Sequence, residues 1–402
     1  MALVLNSRVK YLIYKNICVI IWFMKHINLI ATATFGLEAI VAGELKNLGY
    51  NADKVENGRV TFTGSETDIC RTNLHLRTSD RVLIKMGEFP ATTFEELFEK
   101  TKALPWNEWL PEDACFPVEG KSIRSKLFSV PDCQGIVKKA IVEKLKKTYK
   151  RSWFNETGAK YTIEVGLLKD IATLTIDTTG PGLHRRGYRK LAGPATLKET
   201  LAAGLILISK WTHDRVLIDP FCGTGTIPVE AAMIGLNMPP GLGRNFVSEE
   251  WHRIPSSLWV KAREEAKSFI ATDRELRIQG LDINEKILGP ARYHAKQAGV
   301  DKFIHFQCRP VSELSSRFKY GFIITNPPYG ERMGEIKEIE QLYRETGKIF
   351  ESLDGWSYYI ITSHPDFEKL FKRKADKKRK LYNGKIQCYL HQYFGPEPKK
   401  GQ

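Results

Sequence analysis

The chemistry in this chain concentrates in two short stretches. Asn326-Pro327-Pro328-Tyr329 follows an apolar run, Gly321–Thr325. Two consecutive prolines remove backbone donors and stiffen the turn. The Asn326 side-chain oxygen and the Pro327 carbonyl are left as fixed acceptors. An amino group conjugated to a ring or carbonyl is a poor nucleophile because its lone pair is delocalised. Hydrogen bonds from both its N–H groups to these acceptors favour a pyramidal nitrogen and aim the lone pair at an electrophilic carbon. That is catalysis by positioning and electrostatics. It needs no metal ion, and none is expected. Tyr329 is placed to stack on a base taken out of its helix. An ordinary Pro-Pro turn is the plain alternative for the motif in isolation. The motif leaves the acceptor open among adenine N6, cytosine N4, guanine N2 and a glutamine amide.

The second stretch, Asp219-Pro220-Phe221-Cys222-Gly223-Thr224-Gly225-Thr226, joins an apolar strand to an apolar helix. A phosphate-binding Walker loop requires Lys-Ser/Thr after its last glycine, and here Thr226-Ile227 follows. A dinucleotide fingerprint needs Gly or Ala at position 228, where Pro228 stands. An aspartate closing the strand suits a cationic ligand and repels a pyrophosphate. S-adenosylmethionine meets that description. Leu281-Asp282-Ile283-Asn284 closes the next strand, where a carboxylate can accept both ribose hydroxyls. Asp282 also reads as an N-cap for the following helix, and the two roles are compatible. The expected cofactor contacts are Asp219, Phe221, Cys222, Gly223, Thr224, Gly225, Thr226, Asp282, Ile283 and Asn326, with Thr196 upstream.

The elements around these motifs alternate. A helix over Thr196–Ser209 leads to strand Val216–Asp219 and helix Ile227–Ile234. Strand Arg277–Leu281, helix Asn284–Ala298 and strands Phe303–Phe306 and Gly321–Thr325 follow. Helix Glu338–Leu353 and strand Ser357–Thr362 precede a terminal pair near Arg379–Leu381 and Lys385–Tyr393, joined at Asn383-Gly384. This alternation predicts a doubly wound, Rossmann-like α/β domain with an antiparallel edge hairpin. The spacing between the two cofactor motifs is long, which we ascribe to an inserted, tryptophan-containing segment, Leu236–Ala271.

Before Gly180 the pattern is α+β. Strands are expected at Ile27–Ala33, Arg59–Thr63, Arg81–Phe89, Tyr161–Leu167 and Ile171–Asp177. Helices are expected at Leu37–Leu48, Phe94–Lys102 and Gln134–Tyr149. Lys169-Asp170 is a hairpin-sized gap. Residues 1–23 carry an apolar run of only seven residues, too short to span a bilayer, and read as an extension outside the fold.

The chain has 402 residues, 61 Lys+Arg against 46 Asp+Glu, and a formal charge of +15. Such an excess points to a polyanionic partner. Lys372–Lys380 packs seven cations and one acid into nine residues, and His184–Lys190 interleaves cations with Tyr188. Lys138–Arg151 adds a third basic stretch. A solvated charged face is the plain alternative for each alone; together they read as an RNA footprint. Seven scattered cysteines suit a reducing cytosol and neither a disulfide framework nor a zinc site.

The motifs together resemble a known family. Supporting segments are Leu29–Glu38, Ser125–Ser129 with Asp132–Gln134, Leu183–Arg189, Leu197–Ala203, Asp219–Thr226 and Asn326–Arg332. They are similar to bacterial THUMP-domain RNA methyltransferases related to the large-subunit ribosomal RNA guanine-N2 methyltransferase, once described as adenine-specific DNA methylases. The likeness runs from Lys25 to Phe394. It implies a ferredoxin-like portion (24–66), a THUMP domain that grips RNA (67–179) and a Rossmann-like methyltransferase domain (180–402). It also implies S-adenosylmethionine as methyl donor and guanine N2 of 23S ribosomal RNA, free or in an assembling large subunit, as acceptor. A cytoplasmic setting follows. Asn326, Pro327, Pro328 and Tyr329 fall on the catalytic loop, and Thr196 near the methionine end of the cofactor. The expected RNA contacts are Lys121, Arg124 and Lys126 in the THUMP region, Arg185, Arg186 and Arg189, and Lys372, Arg373, Lys377 and Lys378. Two departures stand out. Where an acidic or amide residue often follows the third strand to meet the adenine amino group, this chain has Gln307-Cys308-Arg309. Gly193–Lys198 carries one residue more than the usual Ala-Pro-Leu-Lys form. Rival readings are a DNA amino-methyltransferase and a non-catalytic RNA-binding assembly factor.

Overall fold

The structure, a computed structural model, describes residues 26–191, 197–329 and 333–397. The expected extension 1–23 and Thr196 lie outside the described residues.

Two seven-stranded sheets form the frame. The first contains β1 (Ile27–Ala33), β2 (Ala52–Glu56), β3 (Arg59–Gly64), β4 (Ser79–Pro90), β5 (Val118–Ile123), β6 (Ile163–Leu168) and β7 (Ile171–Asp177), in the order β2-β3-β1-β4-β7-β6-β5. Strand β4 runs for 12 residues. Its first half pairs with β1, through Leu83↔Ile30, and its second half with β7, through Phe89↔Ala172. One strand thus joins the two expected N-terminal portions into one sheet. The β6–β7 hairpin turns on Lys169 (φ 52°) and Asp170 (φ 64°). Two left-handed residues make the turn whose twist matches the flanking strands, although neither is glycine.

The second sheet holds β8 (Leu217–Asp219), β9 (Ile278–Asp282), β10 (Ile304–Cys308), β11 (Phe322–Thr325), β12 (Ser357–Thr362), β13 (Lys377–Asn383) and β14 (Ile386–Tyr393). Their order is β10-β9-β8-β11-β12-β14-β13, parallel except that β14 runs antiparallel to β12 and β13. Strand β8 lies between β9 and β11, so chain connections leave it in opposite directions. In open α/β sheets, ligands bind outside the carboxyl ends at this reversal. Strand β11 is buried throughout, as a central parallel strand must be.

The sequence pattern missed β2, β5 and the helices Glu66–His75 and Phe367–Phe371. The inserted segment carries helix Ser256–Ser268 and packs away from the domain that contains it. Phe246, Trp251, Ile254, Trp259, Ala262 and Ala266 belong to the core of the first sheet. Trp251 stacks on Tyr161 at 4.5 Å and 21°, and its Nε1 donates to the Lys160 carbonyl at 2.9 Å. Arg253 pairs with Glu66 at 2.9 Å. In return, Leu37 of the first half sits in the core of the second. The segment therefore clamps the two halves together.

No helix of the described residues is long and apolar enough to cross a membrane. Among those residues there is no cluster of His, Cys, Asp and Glu able to hold a metal ion.

Candidate active site

The loop after β8 carries the first motif to the mouth of the sheet. Its backbone is pinned by Cys222 N–H donating to the Leu281 carbonyl at 2.8 Å and by Gly225 N–H donating to the Cys222 carbonyl at 2.8 Å. Gly223 (φ 52°) and Gly225 (φ 81°) are both left-handed, but they do different work. A Cβ on Gly225 would lie 3.0 Å from Phe306 and 3.1 Å from Ala291. This glycine exists so that helix Thr226–Gly235 can pack on β10 and its neighbouring helix. At Gly223 the nearest atom is Ile287 Cδ1 at 4.0 Å, so its backbone faces open space where a ligand can approach.

Asp282 sits opposite, at the end of β9. Its Oδ2 accepts from Gly223 N–H at 3.0 Å and its Oδ1 from Asn284 N–H at 2.9 Å. Asn284, not Asp282, caps helix Glu285–Gln297, accepting from Lys286 N–H at 3.1 Å. Each Asp282 oxygen keeps a second lone pair, which suits the two hydroxyls of a ribose. Ile283 beside it is 76% exposed, an apolar surface at the same mouth.

Asp219 is only 1% exposed. Its Oδ1 accepts from Thr325 Oγ1 at 2.6 Å and from Phe221 N–H at 3.2 Å. Burial pushes its pKa up to about 7, the two hydrogen bonds pull it back, and the Asp282 charge adds to the rise. A buried carboxyl poised to ionise suits a ligand that brings positive charge. S-adenosylmethionine carries an ammonium and a sulfonium, so the donor set fits the expected cofactor.

The Asn326–Tyr329 motif leaves β11, next to β8, so the two loops share one mouth. Thr325 links them directly through its bond to Asp219. Tyr343 Oη donates to the Pro328 carbonyl at 2.7 Å and also meets Thr362 Oγ1 at 3.1 Å, which anchors the outer proline. Among the described residues no hydrogen bond engages the Pro327 carbonyl. The Tyr329 hydroxyl donates to Asn326 Oδ1, and the Cys388 thiol in turn approaches that hydroxyl at 3.8 Å. The Tyr329 ring packs against the core of the second sheet. Burial, reinforced by Cys388, holds its phenol well above the usual value, so it stays a neutral donor. The stacking platform expected of Tyr329 is in this state a half-buried ring tied to its own loop.

The expected RNA residues divide. Lys121, Arg124, Lys126, Arg185, Lys372, Lys377 and Lys378 are exposed, although Lys121 pairs with Glu164 at 2.6 Å and Lys378 with Glu368 at 2.6 Å. The Arg373 guanidinium lies 5.2 Å from the Tyr393 ring centroid. Arg186 corrects the expectation. It is 3% exposed, pairs with Glu230 at 3.4 Å and donates to the Leu183 carbonyl at 2.9 Å, so it offers no charge to an outside ligand. Tyr188 Oη donates to the same Glu230 at 3.0 Å. Arg189 likewise turns inward, to Thr226 Oγ1, to the Leu197 carbonyl at 3.1 Å and to Glu199 at 3.4 Å. Both arginines brace helix Thr226–Gly235, which follows the Asp219–Gly225 loop. A signal for this was present: Glu230 is the lone acid in the apolar helix Thr226–Gly235, and a buried carboxylate needs a buried partner.

Comparison with known proteins decides what this site belongs to. Residues 186–392 match the family described as RMKL-like, methyltransferase domain. Residues 28–83 match the RlmL ferredoxin-like domain and residues 91–177 the THUMP domain. The chain belongs to the RMKL-like methyltransferase family.

A full-length relative of this methyltransferase is "Putative RNA methyltransferase YpsC" of Bacillus subtilis (strain 168). It is 50% identical over 382 residues, covering 94% of this chain and 99% of that protein. Ribosomal RNA large subunit methyltransferase K/L of Shewanella baltica (strain OS155) is 31% identical over 91% of this chain, which spans only 53% of that longer protein. Among solved structures, a predicted N6-adenine-specific DNA methylase from Listeria monocytogenes is 50% identical, with a TM-score of 0.90 and coverage of 94% and 98% of the two chains. SMU.472, solved in complex with SAH, is 45% identical, with a TM-score of 0.88 over 93% of this chain and all of that one.

Proposed function

We propose that this methyltransferase uses S-adenosylmethionine to form N2-methylguanosine in 23S ribosomal RNA. The observation that carries the reading is the pairing of β8 with β11, which brings the Asp219–Thr226 and Asn326–Tyr329 stretches to one mouth, tied by the Thr325–Asp219 bond. The bound cofactor would supply a methyl carbon activated by its sulfonium. Asp219 would face the cationic amino acid end, Gly223 would admit it, and Asp282 would take the ribose. Asn326 Oδ1 and the Pro327 carbonyl would accept the two N–H groups of the guanine amine. When the methyl carbon is transferred to the amine and the sulfur is left as a neutral thioether, the displaced proton would leave the nitrogen for water.

The names of the K/L relatives support ribosomal RNA as substrate, and the THUMP match supports an RNA grip. Exposed Lys121, Arg124 and Lys126 in that region are the proposed phosphate contacts. The reading sets the enzyme in the cytoplasm, on free 23S ribosomal RNA or an assembling large subunit. The test is transfer of labelled methyl to ribosomal RNA followed by identification of the product nucleoside. N2-methylguanosine is the expected product. Methyl on adenine N6 would reject guanine while sparing the reaction class. Duplex DNA outcompeting structured RNA would favour the function named for the Listeria protein.

A further inference from the structure

A second cavity, of about 440 Å³, opens at the opposite end of the second sheet, beside Phe322 and Ser357 at the amino ends of β11 and β12. Four cations line it, Lys210, Arg215, Lys377 and Arg379, against one carboxylate, Glu397. Two are fixed by hydrogen bonds to neutral carbonyls, and Arg215 also feels the Asp214 and Glu397 charges. Arg215 Nε donates to the Tyr320 carbonyl at 2.6 Å, and its guanidinium lies 4.4 Å from the Phe322 ring centroid. Arg379 donates to the Gly36 carbonyl at 3.2 Å. Lys210 and Lys377 have no ion pair among the described residues. Strand alternation puts Lys378 on the other face, where Glu368 neutralises it.

Gln392 supplies an independent sign. It lines the cavity and is 3% exposed, yet its side-chain Nε2 has no hydrogen-bond partner. A buried amide donor is costly to leave unmade, and an acceptor in the cavity would remove that cost. Phe394, 49% exposed, adds an aromatic wall beside the cations. A phosphate satisfies the cations and the amide together, and a planar ring suits Phe394. The volume is that of a small-ligand site.

We propose that this cavity binds a nucleotide, its phosphate held by Lys210, Lys377, Arg379 and the Gln392 amide and its base set against Phe394. The site is remote from the catalytic loop and does not depend on the reading of that loop. A nucleotide within a bound RNA chain and a free nucleotide carry the same chemistry.

The experiment titrates the full chain, saturated with S-adenosylhomocysteine, with uridine monophosphate, uridine and inorganic phosphate by calorimetry. Uridine monophosphate binds at least about tenfold more tightly than either fragment, because the phosphate and base contacts act together. Lys210→Glu with Lys377→Glu weakens it by about tenfold or more per reversed charge. Both lysines are exposed, so the variant keeps its fold. Phe394→Ala weakens uridine monophosphate but not inorganic phosphate. A short oligouridylate that binds more tightly than the monophosphate, with the same loss in the double variant, assigns an RNA chain as source. Equal affinities assign a free nucleotide. No binding to the wild-type chain, or binding untouched by the double variant, overturns the proposal while leaving the catalytic reading intact.

Discussion

The Tyr329 hydroxyl donates to the side-chain oxygen of Asn326, the atom expected to receive the substrate amine. That oxygen has a second lone pair, so the tyrosine orients it without exhausting it. Asn326→Ala should lower kcat by about 100-fold or more, the scale of losing one aimed hydrogen-bonding group. Tyr329→Phe keeps the ring and loses only the orienting bond, so a loss of about tenfold or less is expected. Single-turnover methyl transfer with each variant checks the ranking. Equal losses would make the hydroxyl more than an orienting group.

Asp219 gives the site a pH signature. Its carboxyl rises from the ordinary 3.8 to about 7 in the fold, so the folded state holds the proton more tightly than the unfolded chain. The stability it contributes is full below its ordinary value and declines as pH rises toward about 7. The ammonium of the bound cofactor or its product would reverse the preference by favouring the ionised form. Thermal melts between about pH 5 and about pH 8 should show S-adenosylhomocysteine stabilising the protein more strongly at the higher end. Asp219→Asn should flatten that dependence.

The two glycines of the loop separate packing from binding. Gly225→Ala places a methyl against Phe306 and Ala291 at positive φ and should cost about 1–3 kcal/mol of stability. Gly223→Ala faces open space and bears only the left-handed strain of about 1–2 kcal/mol. Its larger effect should fall on cofactor affinity. Urea denaturation and S-adenosylhomocysteine titration of the two variants check the contrast.

Arg186 and Glu230 are a buried pair of 2% and 0% exposed side chains. Removing the arginine alone strands a carboxylate and should cost about 3–5 kcal/mol. Arg186→Met combined with Glu230→Gln, whose amide oxygen can still accept from Tyr188, should recover much of that and keep RNA affinity near wild type. A specific loss of RNA binding in the folded double variant would restore Arg186 as an RNA contact.

The THUMP-region cations make the complementary case. Replacing Lys121, Arg124 and Lys126 with alanine should weaken RNA binding uniformly across sequences. The salt slope should fall by about one for each phosphate no longer neutralised. Cofactor affinity should not move. Filter binding over a salt series reads both quantities.

Much of this was legible in the residues. The parallel strands announce themselves as short apolar runs, and β11 with its Asn-Pro-Pro-Tyr exit was placed to within one residue. Strands β2 and β5 were hidden because polar Ala52–Glu56 and Val118–Ile123 lie at sheet edges and bury little. The direction of a side chain was harder still. His184–Lys190 reads as a surface cluster, yet Arg186, Tyr188 and Arg189 turn inward to Glu230 and Thr226, which are distant in sequence. The docking of Leu236–Ala271 on the opposite half leaves no local signature, since its tryptophans look like those of any small core.

The clamp that this segment forms has a geometric outcome. With Trp251 seated under the first sheet and Leu37 under the second, no slack hinge separates the two halves. On the proposed reading, a strand of nucleic acid held by the front half would meet the Asn326–Tyr329 loop at a set reach, as paper meets a punch at the depth of its throat. Choice of target would then be a matter of how far the modified base stands from the gripped stem, more than of the letters around it.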